Sequence, residues 1–141
     1  MSKWKLGEKE VYDYYSTHKN SYIYRFADTH DVNAQLKHFG ERMVYAAKTP
    51  SDFLVVHNLR TFFLEVKTTE NVRGVTTALF KQQAGIRDRI LKCSGDYFYH
   101  VYSFVNKQWY FIPGWVISED ANRTWEELKT FKVSYLKDIK E

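Results

Sequence analysis

The chain is poor in cysteine, proline and glycine, with one, two and six residues respectively among 141. The lone Cys93 excludes an internal disulfide framework and a Cys-rich zinc site. With so little Pro and Gly, no repeat and no low-complexity segment, nothing reads as an interdomain linker. A single domain over 1–141 is expected. No apolar stretch approaches the ~18 residues of a membrane span. The opening MSKWKLGEKE carries basic residues but no apolar run of the signal-peptide kind. The five histidines show no His-x-x-x-His spacing, and no Gly-rich phosphate loop is present. These absences predict a soluble, cytoplasmic protein with no membrane partner.

What is present points to a packed core. Hydrophobic residues make up 44% and charged residues 27%, which argues against disorder. Four Trp, eleven Tyr and ten Phe supply large side chains to fill the interior. The net charge of +4 permits nucleic acid as a partner without requiring it.

Periodicity predicts the element order. Residues 7–18 read as a short helix, with Val11, Tyr14 and Tyr15 on one side. The alternating 21–27 reads as a strand, and a helix around 32–39 is expected next. The runs 53–56 and 61–68, split by a short polar break, predict an antiparallel hairpin. Residues 77–93 carry helical spacing, with Gly95 as the stop. A second hairpin is expected over 97–105 and 108–112. Thr124-Trp125-Glu126-Glu127 reads as a capping box opening a short helix, with a last strand or tail over 131–136. The sum is an α/β fold: a central mixed sheet flanked by helices.

The first hairpin carries the chemistry. Glu65 and Lys67 lie two apart in a strand and so share a face, with Leu64 and Val66 on the other. Asp52 opens the paired strand, so antiparallel pairing brings it beside Glu65 and Lys67. Two carboxylates at one sheet end suit a hard divalent cation such as Mg²⁺. A neighbouring ammonium can orient water and offset charge on a phosphodiester. The acid-x-Lys tripeptide recurs at Glu127-Leu128-Lys129 and Asp138-Ile139-Lys140, but only Glu65-Val66-Lys67 lies in an apolar strand with a partner Asp. Its plain alternative is a charged strand end with ordinary surface pairs. Cys93 is expected to be a core thiol.

Pro50-Ser51-Asp52, twelve further residues, then Glu65-Val66-Lys67 resembles the signature of the PD-(D/E)XK nuclease superfamily, with Ser inserted between Pro and Asp. Within it, the chain looks most like archaeal and phage-type Holliday-junction resolvases and their Gram-positive relatives. The likeness covers roughly residues 50–113, including Gln82-Gln83 on the following helix and the aromatic strand ending Phe111-Ile112-Pro113. It implies a restriction-endonuclease-like fold and Mg²⁺-dependent cleavage of branched DNA in recombination and repair, with Mn²⁺ as a substitute ion. In that reading Asp52, Glu65 and the Val66 carbonyl hold the metal. A Glu of the first helix, Glu10 or Glu8 with Glu10 marginally favoured, completes the shell. Lys67 and Gln83 place the attacking water, with Gln83 favoured over Gln82 because it shares the helix stripe of Leu79, Phe80, Ile86 and Arg87. Arg25, Lys48, Thr68, Thr69, Arg73, Lys81 and Arg87 are candidate phosphate contacts. Symmetric cutting of a four-way junction implies a homodimer, for which the aromatic second hairpin is the candidate surface. Another nuclease of the superfamily, acting on duplex, flap or single strands, and a non-catalytic DNA binder on the same fold are the alternatives. So compact an enzyme would suit a virus or prophage.

Overall fold

A computed structural model describes residues 4–26, 49–118 and 121–140. The expected helix around 32–39 and Lys48 lie outside the described residues. The chain runs through α1 (Glu8–Thr17), β1 (Ser21–Arg25), β2 (Phe53–His57), β3 (Arg60–Thr69), β4 (Gly74–Val75), a 3₁₀ segment (Thr77–Gln83) and α2 (Ala84–Lys92). It continues with β5 (Tyr97–Ser103), β6 (Gln108–Pro113), α3 (Gly114–Ile117), β7 (Arg123–Thr124), a second 3₁₀ turn (Lys129–Phe131) and β8 (Lys132–Val133). Among the described residues six strands form one sheet in the order β1-β2-β3-β5-β6-β8, and β4 pairs with β7 in a small ribbon. Among the described strands only β3 and β5 run parallel, so the sheet is mixed, as expected. Their connection carries the 3₁₀ segment and α2 across one face.

Strand alternation sorts β3 between two cores. Phe62, Leu64 and Val66 pack with Val11 and Tyr15 of α1, Phe53, Val55, Tyr102 and Trp109. The opposite face joins Phe80, Tyr97, Tyr99, Val101, Tyr110 and Ile112, with Val116 and Ile117 of α3 and Trp125. All of β5 is buried. That is why the second hairpin does not offer the expected dimer surface: its aromatic rings fill the interior on both faces.

Local chemistry accounts for the ends of elements. The first hairpin turns through Asn58 and Leu59, both with positive φ (48° and 69°), the backbone of a tight two-residue turn. Helix α2 ends at Lys92, and the left-handed residue after it is Ser94 (φ 61°) rather than Gly95; Gly95 donates its N–H to the Ile90 carbonyl at 2.9 Å. Gly95 is still needed, because a Cβ there would sit 2.7 Å from the Ile90 side chain. The Thr124–Glu127 capping bonds form in both directions (3.0 and 3.1 Å). They lead into turns and a 3₁₀ turn rather than an α-helix. Cys93 is exposed, not a core thiol, since it lies beyond the last turn of α2.

Candidate active site

The β2–β3 register sets the site. Phe53 pairs with Leu64, so Asp52, one residue before β2 begins, lies opposite Glu65 of β3. The carboxylate of Asp52 takes over from the missing ladder: Val66 donates its N–H to Asp52 Oδ2 at 2.8 Å. In return the Asp52 N–H donates to Glu65 Oε1 at 2.9 Å. Lys67, two residues on and on the same face, places Nζ 3.3 Å from Glu65 Oε2. Asp52, Glu65 and Lys67 therefore meet at one corner of the sheet.

The corner is electrostatically loaded. The Glu65 side chain is only 4% exposed. Burial, and then the negative charge of Asp52, push its pKa up to about 7, against the pull of Lys5 and Lys67. Two carboxylates, with a strand carbonyl adjacent at Val66, form the oxygen-rich donor set that a hard divalent cation takes. The donor chemistry thus fits the ion that the resemblance implies. Among the described residues no group of three or more His, Cys, Asp and Glu converges as a ready-made cage.

Lys5 was not among the residues expected here. Its Nζ lies 3.2 and 3.1 Å from the two Asp52 carboxylate oxygens and 3.8 Å from Glu65 Oε2. The segment that carries it is held by reciprocal bonds: Lys5 N–H to Glu8 Oε1 at 2.7 Å and Glu8 N–H to the Lys5 carbonyl at 2.9 Å.

Of the two helix acids, Glu8 and not Glu10 lies at this corner. Glu8 is buried and 3.6 Å from Arg25. Its pKa is raised by burial and by Asp52, with Lys5 and Arg25 opposing. Glu10 instead lines a groove with Lys9, Asp13, Tyr135 and the 137–140 segment. Residues two apart on a helix differ by about 200° around its axis, so both cannot face the sheet end. The buried stripe of α1 is Glu8, Val11, Tyr15; its spacing of three and four would have selected Glu8.

The remaining candidates divide. Arg25 lies 4.0 Å over the Trp4 ring beside Glu8, at the edge of the corner. Gln83 ends the 3₁₀ segment, and its Oε1 is buried with no hydrogen-bond partner among the described residues; Gln82 is exposed. Thr68 alternates to the α1 face, away from Lys67. Thr69 returns to the Lys67 side, where its hydroxyl accepts the Asn71 N–H at 3.2 Å. Arg73 is exposed on the loop before β4. Lys81 is exposed along a cleft of about 420 Å³ shared with Thr77, Ala78 and Arg87. Arg87 is not a surface residue: it is buried, bonded to the Tyr99 hydroxyl at 3.2 Å and to Asp88 at 2.9 Å. Helix spacing brings it under the sheet, so its guanidinium serves the core around Tyr99.

No family model and no curated protein matches the chain by sequence. Solved structures do. The 1.6 Å structure of Archaeoglobus fulgidus Hjc, a Holliday junction resolvase from an archaeal hyperthermophile, superposes with a TM-score of 0.54. The match covers 86% of this chain and 87% of that one at 11% identity. The chain shares the fold of that resolvase structure. At this identity the likeness is one of architecture alone. No helix among the described residues is long and apolar enough to cross a membrane.

Proposed function

We propose that this chain is a divalent-metal-dependent endodeoxyribonuclease acting on branched DNA, with the four-way junction as its substrate. One observation carries this: the strand register that sets Asp52 against Glu65, with Lys67 on Glu65, on a fold shared with a junction resolvase. Asp52, Glu65 and the Val66 carbonyl are the groups that would hold Mg²⁺ or Mn²⁺, with Glu8 in the position to add a contact directly or through water. The ion, when bound, supplies a Lewis acid that offsets charge on the phosphate and makes water a better nucleophile.

The protein's own groups do the rest. Lys67 donates to the attacking water and holds it near the phosphorus, while its charge offsets the negative charge growing on the phosphoryl oxygens. Gln83 supplies a buried acceptor for one proton of that water, which orients the lone pair in line. Attack breaks the bond from phosphorus to the 3′ oxygen, leaving a 3′-hydroxyl and a 5′-phosphate. Arg25 and Lys81 are candidate backbone contacts at the edges of the site. Symmetric cutting of a junction needs two such sites, so the working unit is a homodimer.

The test is a cleavage assay on a labelled four-way junction, a linear duplex and a flap, in Mg²⁺ and in chelator. The junction is cut with metal and not without it, and Glu65→Gln binds the junction but loses at least about a hundredfold in rate. Equal cutting by wild type and Glu65→Gln would remove the catalytic assignment. Preferential cutting of duplex or flap would keep the nuclease and overturn the junction as substrate.

A further inference from the structure

The Lys5 ammonium lies where a cation between the two acids would lie. It contacts both oxygens of Asp52 and one of Glu65, the two side chains assigned above to the metal. This placement is built in. Gly7 packs so closely that a Cβ would lie 3.3 Å from the Val66 side chain and 3.1 Å from Trp109. Its φ of 89° is a conformation that glycine adopts readily. Trp4 lies against Tyr12 with centroids 5.1 Å apart and against Phe53 at 6.4 Å. Lys5 is thus held on both sides by anchored neighbours, and by the reciprocal bonds to Glu8. Its side chain is less enclosed: it is 47% exposed, against 15% for that of Lys67. The backbone of Lys5 is fixed at the corner while its side chain is about half exposed.

We propose that Lys5 is an internal competitor for the metal: its ammonium holds the Asp52–Glu65 pair together in the metal-free protein, and a divalent cation must displace it. Lys67 differs in this respect, since it contacts Glu65 alone among the two acids and lies further out of solvent. Lys5 is therefore a positioning residue. It keeps two acids from repelling each other before the ion arrives, and it weakens metal binding by the strength of its own contacts. The inference rests on the metal-site reading above.

The experiment is a titration of Mn²⁺ into chelator-treated protein without DNA, following free Mn²⁺ by electron paramagnetic resonance. Lys5→Met keeps the aliphatic stem and removes the charge. It is expected to bind Mn²⁺ about threefold to tenfold more tightly than wild type, the range that follows from losing one partly exposed, multiply bonded ion pair. Lys9→Met removes an equal charge from the first turn of α1, where Lys9 pairs with Asp13, and is expected to leave the affinity unchanged. Glu65→Gln is expected to abolish the site. Unchanged or weaker binding by Lys5→Met, with wild type still binding, overturns the competitor role alone. The same holds if Lys9→Met tightens binding as much as Lys5→Met does. Absence of Mn²⁺ binding in both wild type and Lys5→Met overturns the metal site and the competitor role with it. The expected order has a second readout: added Mn²⁺ raises the melting temperature of Lys5→Met by more than that of wild type.

Discussion

Glu65→Gln should make the metal-free protein more stable at high pH, and the size of the effect follows from the burial of this acid. In the folded chain the Glu65 pKa is raised from 4.5 to about 7 by burial and by Asp52. A native acid with a raised pKa holds its proton where the unfolded chain has already lost it. Its favourable contribution is complete below the unfolded value and is lost as pH rises through about 7. At ~1.4 kcal/mol per pH unit this amounts to about 3 kcal/mol between pH 4 and pH 8. Glutamine has the shape of the protonated acid and does not titrate, so it can still accept the Asp52 N–H. Relative to wild type, Glu65→Gln should therefore gain with pH. At roughly 3 °C per kcal/mol for a chain of this length, the gap in melting temperature should widen by about 9 °C between pH 4.5 and pH 8. The assay is thermal unfolding by circular dichroism in chelator across that range. Taking the difference between the two proteins removes the histidine titrations common to both. Excess Mg²⁺ should then close the gap by stabilising wild type alone. A gap that stays constant with pH, or that narrows as pH rises, would refute the electrostatic account of this corner.

Leu59 sits at the tip of the first hairpin, fully exposed, with φ at 69°. Leu59→Gly relieves a left-handed leucine at some cost in chain entropy and is expected to stabilise by about 0.5–1 kcal/mol in urea unfolding. A loss of stability would contradict the turn geometry. Leu64 is wholly buried between α1 and the sheet, so Leu64→Ala is expected to cost about 2–5 kcal/mol in the same assay, and a cost below about 1 would misplace the core. Arg87→Met breaks the bond to the Tyr99 hydroxyl and is expected to destabilise by about 1–3 kcal/mol. It should leave the salt dependence of junction binding unaltered, whereas loss of a phosphate contact would lower that slope by about one.

The candidate site was legible because it lies on a hairpin. Asp52 and Glu65 are thirteen residues apart, and a two-residue turn with period-two alternation is enough to set one against the other. The same local rule separates Leu64 and Val66 from Glu65 and Lys67, and the parallel β3–β5 pair follows from the helical segment between them. Only the tertiary structure decided what comes from far along the chain. Glu8 rather than Glu10 reaches the corner because the rotation of α1 is set by Val11 and Tyr15 meeting the sheet, a contact outside the helix itself. Lys5 arrives from 47 residues before Asp52, carried by a turn whose close packing on Val66 and Trp109 no local pattern announces. Arg87 and the rings of the second hairpin go inward for a related reason. Periodicity tells which residues share a face, but which face is covered depends on the neighbours that pack against it.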